Sequence, residues 1–209
     1  AGGGIRNTTD ISEILRSGAD KVSINSAAVK NPNFIKEAVE KFGQSTIVIS
    51  IEAIEQKNGN YLAFTENGRN CSGKDVFQWV QQVEKLGAGE IVLTSVDKEG
   101  RGKGMNIPLV EKIVKLVNIP VVSNGGIGKK EHCTEILKTV PLSGLSIGSM
   151  FHYEYLSKKN FDFKKNQEGN VEYLKKKLSP SNITQCNIRA LKEELLKNKI
   201  YCRFDEKNI

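Results

Sequence analysis

Histidine is scarce in this chain. Among 209 residues only His132 and His152 carry an imidazole, well apart and with no carboxylate–histidine spacing around them, so no metal site is expected. A single tryptophan, and no zinc-finger or RNA-binding signature among the lysines, argue against a nucleic-acid surface. Cys71, Cys133, Cys186 and Cys202 are scattered without a Cys-x-x-Cys pair, which reads as reduced thiols in a cytosolic, hence cytoplasmic, setting and not as a disulfide framework. No apolar run is long enough to span a bilayer, and no basic segment leads into an apolar one at the start, so neither membrane attachment nor a secretory signal is expected. An initiator methionine is missing too: the chain opens on Ala1-Gly2-Gly3-Gly4-Ile5.

What is present is an ordinary globular composition, 38% hydrophobic and 26% charged, of a length that suits one compact domain. The net charge of +7 is uneven, with 13 basic against 8 acidic side chains from Phe151 onward. Such a balance fits phosphate-bearing small substrates or a charged tail as readily as nucleic acid.

Hydrophobic spacing alternates between two periods. Lys21–Ile24, Thr46–Ile51, Glu90–Thr94, Ile119–Val122 and Leu142–Ile147 read as five strands, the second nearly continuous in apolar residues and so buried on both faces. Asn31-Pro32 opens a helix over Phe34, Ile35, Ala38, Val39 and Phe42 that Gly43 ends. Further helices follow through Val76–Leu86, from Pro108 through Leu116, and through Ile136 and Leu137; Asp10 and Glu13 read as a capping box ahead of Leu15. Asn58-Gly59 marks a hairpin turn between Ile54 and Phe64. After Phe161 the pattern loosens until Ile188, Leu191 and Leu195 define a last amphipathic helix. Repeated βα units imply a parallel sheet.

An internal echo gives this alternation a function. Gly3-Gly4-Ile5, then Ser23-Ile24-Asn25-Ser26, returns as Gly125-Gly126-Ile127, then Ser146-Ile147-Gly148-Ser149, at an offset of 122 to 123 residues. Each copy puts glycines after one strand and a small or polar group after the next, where exposed backbone amides cradle phosphate. Two such cradles suit a substrate phosphorylated at both ends; the plainer alternative is that the glycines merely close turns. Two units of this length match an eight-stranded (β/α)8 TIM barrel, with about 77 residues, strands one, two and most of three, expected to be absent before Ala1. An open doubly wound sheet is the rival.

The residues also carry a resemblance. The stretches Gly2–Ile5 (GGGI), Gly18–Val29 (GADKVSINSAAV), Gly87–Gly100 (GAGEIVLTSVDKEG), Ile119–His132 (IPVVSNGGIGKKEH) and Gly148–Tyr153 (GSMFHY) resemble the cyclase subunit family of imidazole glycerol phosphate synthase. The resemblance covers residues 1–153, leaving 154–209 as a Lys-rich extension of a single domain. It implies a ribulose-phosphate-binding type of (β/α)8 barrel without cofactor, in the cytoplasm. There it would form a heterodimer with a glutaminase subunit that supplies ammonia. The implied reaction is a lyase and cyclase step of histidine biosynthesis. It converts a bis-phosphorylated aminoimidazole-carboxamide ribonucleotide to imidazole glycerol phosphate and aminoimidazole-carboxamide ribotide.

The same resemblance implies residue roles. One phosphate falls to Gly4, Asn25 and Ser26, the other to Gly100, Gly125, Gly126, Gly148 and Ser149. Of two catalytic carboxylates, one is expected before Ala1, so that this chain alone is expected to be inactive. The other falls on Glu52, where the family normally has aspartate. Two carboxylates can divide acid and base roles when their surroundings separate their pKa values. Asp97 and Glu99 would shape the substrate site, the latter again replacing the family's aspartate, and Thr94 would donate a hydrogen bond nearby. Lys21 and Glu90 match an ion-pair gate for ammonia at the opposite end of the strands, and Asp20 the partner interface. Two alternatives stand beside this: a cyclase-like paralogue supplying ammonia to amidinate a surface-polysaccharide sugar, and a phosphate-binding barrel without catalysis. The two glutamates, the Gly148-Ser149-Met150-Phe151 variant of the last loop and the long Lys-rich tail favour the former.

Overall fold

A computed structural model describes residues 1–158 and 180–204, so the loosened, Lys-rich stretch after Phe161 lies mostly outside the described residues. These residues form two compact units. The first comprises 1–97, 106–124 and 140–146, and the second, among the described residues, 98–105, 125–139, 147–158 and 180–204.

The first unit contains one seven-stranded sheet: β1 (Val22–Ile24), β2 (Ile47–Glu55), β3 (Tyr61–Thr65), β4 (Asn70–Asp75), β5 (Glu90–Ser95), β6 (Val121–Asn124) and β7 (Gly144–Ser146). The five expected strands are β1, β2, β5, β6 and β7. They lie side by side in chain order, all parallel, with no reversal. That is the winding of a (β/α) barrel, whereas a doubly wound sheet reverses its strand order midway. Ala1 and Gly2 continue the same edge: Ser23 N–H donates to Ala1 O at 2.8 Å, and Gly2 bridges Ser23 in parallel.

The expectation of a (β/α)8 barrel without its first 77 residues is corrected here. Among the described residues there are seven strands and eight α-helices between Thr8 and Lys197, not a five-strand remnant. The error has a physical source. Residues Tyr61–Asp75 form β3 and β4, an antiparallel hairpin that pairs with the far half of β2 through Glu52↔Phe64 and Glu55↔Tyr61. A hairpin adds strands without adding a βα unit, so a count of βα units leaves out two of the seven strands. The Asn58-Gly59 turn is where expected, with Gln56 N–H bonded to Asn60 O at 2.7 Å and Gly59 at φ +80°.

Helices α1 (Thr8–Arg16), α2 (Ser26–Lys30), α3 (Asn33–Phe42), α4 (Val76–Lys85) and α5 (Ile107–Leu116) complete this unit. The capping box of α1 lies one turn before the expected one. Asn7 Oδ1 accepts from the amides of Thr9 and Asp10, and Asp10 Oδ2 accepts from those of Arg6 and Asn7 at 2.6 and 3.1 Å. Asn7 prevails because its extended backbone precedes the first helical residue, as a cap requires. Pro32 precedes α3, and Gly43, at φ +86°, ends it. Packed on β2, α3 and α4 enclose Ile35, Ala38, Trp79, Val80 and Val83, all essentially inaccessible. On β2 the residues Ile47, Ile49, Ile51 and Ala53 are buried on one face, each isoleucine contributing about 1.5–3 kcal/mol. Ser50 and Glu52 alternate onto the other face.

The second unit holds α6 (Lys130–Thr139), α7 (Ser149–Lys158) and α8 (Ile188–Lys197) with the loops at 98–105 and 125–129. Leu191 and Leu195 are the buried residues of α8, whereas Ile188, expected on the same stripe, is 55% exposed. Lys130 pairs with Glu194 at 3.6 Å, linking α6 to α8. The segment 180–186 runs against both loops. Thr184 N–H donates to Gly128 O at 2.7 Å, and a side chain at either Gly102 or Gly128 would strike the carbonyl oxygen of Asn182. Ile183, 5% exposed, fills the space beside Gly102.

Candidate active site

A cavity of about 950 Å³ opens in the first unit at the C-terminal ends of β1 and β2. Four of the expected residues meet there: Gly4, Asn25, Ser26 and Glu52. Strand alternation explains the wall, since Ser23 on β1 and Ser50 and Glu52 on β2 leave their buried neighbours and turn to this side. Gly3 and Gly4 take φ of +107° and +72°, a conformation that favours glycine, and nothing stands within 4 Å of where their side chains would be. The loop therefore offers bare backbone to the cavity. Arg6 and Lys30, which sequence reasoning passed over, add positive charge to the same lining.

Asn25 precedes α2 without capping it through its side chain. Its Nδ2 donates to Phe64 O at 3.4 Å, while Oδ1 is buried without a partner among the described residues. A lone acceptor is suited to a hydroxyl or amine of a ligand, because unbonded burial is costly. Across the cavity, Glu52 Oε2 accepts the Gly68 amide at 2.7 Å.

Other expected residues are placed elsewhere. Thr94 Oγ1 accepts from Asn124 Nδ2 at 3.3 Å, and Ser95 Oγ donates to Asp97 Oδ1 at 3.3 Å. Neither Thr94 nor Asp97 lines the cavity. Lys21 and Glu90 do form an ion pair, 2.5 Å long, at the starts of β1 and β5, the strand ends opposite the cavity. Asp20, next to Lys21, is exposed.

In the second unit, Gly125 and Gly126 are buried, and a side chain on Gly126 would strike the carbonyl oxygen of Gly104. Gly104 N–H bonds to Gly126 O at 2.8 Å, so close backbone packing alone accounts for glycine at 126. Gly148 and Ser149 start α7, with Gly148 O accepting from His152 N–H at 2.9 Å; Glu99 and Gly100 are exposed. His132 Nδ1 accepts the Gly128 amide at 3.2 Å, and burial, aided by Lys129, holds the imidazole below its ordinary value. All four cysteines are free, and burial pushes the Cys133 thiol up to about 12. Among the described residues no three His, Cys, Asp or Glu side chains cluster at metal-binding range, and no helix is long and apolar enough to cross a membrane.

Asn106 was also missed. It caps α5 through Leu109 N–H and donates to Tyr61 Oη at 3.0 Å, a partnership between residues 45 apart that the sequence could signal only through the Asn before Ile107-Pro108.

Residues 1–157 match the family described as "histidine biosynthesis protein". Similar proteins include the imidazole glycerol phosphate synthase subunit HisF of Hydrogenobaculum sp. (strain Y04AAS1), 47% identical over 156 residues, which are 75% of this chain and 62% of that protein. The subunit of the same name from Sulfurisphaera tokodaii is 49% identical over 151 residues, covering 72% and 59% respectively. That of Clostridium botulinum (strain Okra / Type B1) is 42% identical over 169 residues, covering 80% and 67%. The chain thus spans about three-fifths to two-thirds of the length of these relatives.

Proposed function

The chain belongs to the histidine biosynthesis protein family, and on that premise we propose that it serves the cyclase and lyase reaction named for its relatives, imidazole glycerol phosphate synthesis. In this reading the cavity takes a phosphorylated aminoimidazole-carboxamide ribonucleotide. The observation that carries it is the convergence of the bare Gly3–Gly4 backbone, Asn25, Ser26 and Glu52 on that single cavity. Glycine amides, with Arg6 and Lys30 beside them, suit one phosphate, and the Asn25 carbonyl oxygen suits a ribose hydroxyl. Glu52 is the acid–base group, giving or taking a proton as the carbon–nitrogen bond to the departing aminoimidazole-carboxamide ribotide breaks and the imidazole ring closes around the ammonia nitrogen. Gly100, Gly125, Gly126, Gly148 and Ser149 are assigned to the other phosphate, with Thr94, Asp97 and Glu99 shaping the rest of the substrate site.

Ammonia, in the same reading, comes from a glutaminase partner in a cytoplasmic heterodimer and enters beside Lys21 and Glu90, with Asp20 at the contact surface. Their ion pair lies at the strand ends opposite the cavity, as a gate would. The test is ammonia-dependent turnover of the bis-phosphorylated ribonucleotide by the protein carrying this chain, with both products separated chromatographically. Glu52→Gln should lower turnover by at least about a hundredfold while retaining binding. Tight binding without turnover in the unaltered protein would sink the proposal.

A second reading is favoured by the 180–186 segment, which lies beyond the family match and is built into two loops. It makes the chain a cyclase-like paralogue that supplies ammonia for amidinating a surface-polysaccharide sugar. Turnover of the ribonucleotide at the rate of a working biosynthetic enzyme would remove this second reading.

A further inference from the structure

Glu52 is held by a turn that is costly to form. Between β3 and β4, Glu66, Asn67 and Gly68 adopt φ of +58°, +59° and +75° in succession. Two of these three carry side chains, for which this region is disfavoured. The turn is closed by Arg69 N–H bonded to Thr65 O at 3.1 Å. Its outcome is that Gly68 N–H points at Glu52 Oε2, 2.7 Å away.

The turn cannot drift from that position easily. A side chain on Gly68 would come within 2.7 Å of Val96 Cγ1 and 3.5 Å of Ile54 Cδ1. Val96 is itself tied to β2 by its N–H bonded to Ala53 O at 3.0 Å. Only glycine therefore fits beside Val96 with its amide directed at the carboxylate. Glu52 otherwise has three rotatable bonds and a half-buried place on the cavity wall, and a free glutamate would spread over several rotamers.

We propose that the Gly68 amide is a positioning group for Glu52. It engages Oε2 by a charge-assisted hydrogen bond and leaves Oε1 to exchange the proton with whatever occupies the cavity. The inference rests on Glu52 acting on the substrate, as proposed above. Displacing the carboxylate by the order of 1 Å is enough to cost about a hundredfold in rate.

Two arms test it. In turnover, Gly68→Ala should lower kcat by roughly ten- to a hundredfold with little change in KM, because the added methyl drives the turn away from Val96. Unchanged kcat in Gly68→Ala would overturn the proposal. The second arm needs no activity and leaves Gly68 intact, so it stands even where Gly68→Ala fails to fold. In a ¹H–¹⁵N spectrum the Gly68 amide proton should lie downfield and move upfield in Glu52→Ala; an unmoved resonance would overturn the clamp. A resonance that moves, in a protein that turns nothing over, would instead count against the functional reading and not against the clamp.

Discussion

At the residue scale, the side chains of consequence are those whose partners lie far along the chain. His132 gives a measurable instance. Burial, reinforced by Lys129 and opposed by Glu131 and Glu135, holds its imidazole below the ordinary 6.5. The unfolded chain then binds that proton at a higher pH than the folded one does. Stability from this residue is complete above about 6.5 and is lost as pH falls through that value toward the folded pKa. We expect the urea midpoint to fall between about pH 7.5 and 5.5, and His132→Gln, which keeps an acceptor for Gly128 N–H without a titrating ring, to flatten part of the fall. An identical slope in the variant would remove His132 from the account. Glu52 and the pair Lys21 and Glu90 were singled out through the family resemblance of their stretches; the structure sets Glu52 within β2 and Glu90 at the first residue of β5. The roles of Gly68, Asn106 and Asn124 were not legible in the sequence, since each depends on a neighbour that only tertiary folding brings near: Glu52, Tyr61 and Thr94.

At the scale of elements, apolar period did most of the predicting. β2 and β5 announce themselves as runs of isoleucine, valine and leucine, and α3, α4 and α5 as helical stripes bounded by Gly43, Gly87 and Pro108. β4 was invisible because Asn70–Asp75 is largely polar and has no buried residue; its strand character comes from pairing with β3, not from its own residues. The segment 180–186 was equally silent, having no periodicity, yet its backbone lies against Gly102 and Gly128. Gly128→Ala should cost about 1–3 kcal/mol, since the new methyl would meet the Asn182 carbonyl oxygen and come within 2.5 Å of Gly102 Cα. Urea unfolding measures it; a loss below a few tenths of a kcal/mol would mean that the segment yields freely.

For the whole molecule, the sheet sets which parts open last. β2 has partners along both sides, β1 and β3 on one and β5 on the other, and β5 lies between β2 and β6. Among the described residues β4 pairs with β3 alone. Amide hydrogen exchange should be slowest over Ile47–Ala53 and Ile91–Leu93 and clearly faster over Asn70–Asp75. Equal protection of β4 and β2 would contradict this order. Parallel winding in chain order could be foreseen from alternating strands and helices, whereas the strand count could not, because the hairpin adds strands without adding a βα unit. The family match ends at residue 157, but the contacts of the loops at 98–105 and 125–129 extend to Asn182 and Thr184. A version trimmed to residues 1–157 would keep every position of the family match and lose the backbone on which Gly102 and Gly128 rest. The border of ancestry and the border of self-sufficiency are therefore different lines in this chain, and anyone transplanting the recognisable part will need to carry its unfamiliar neighbour along.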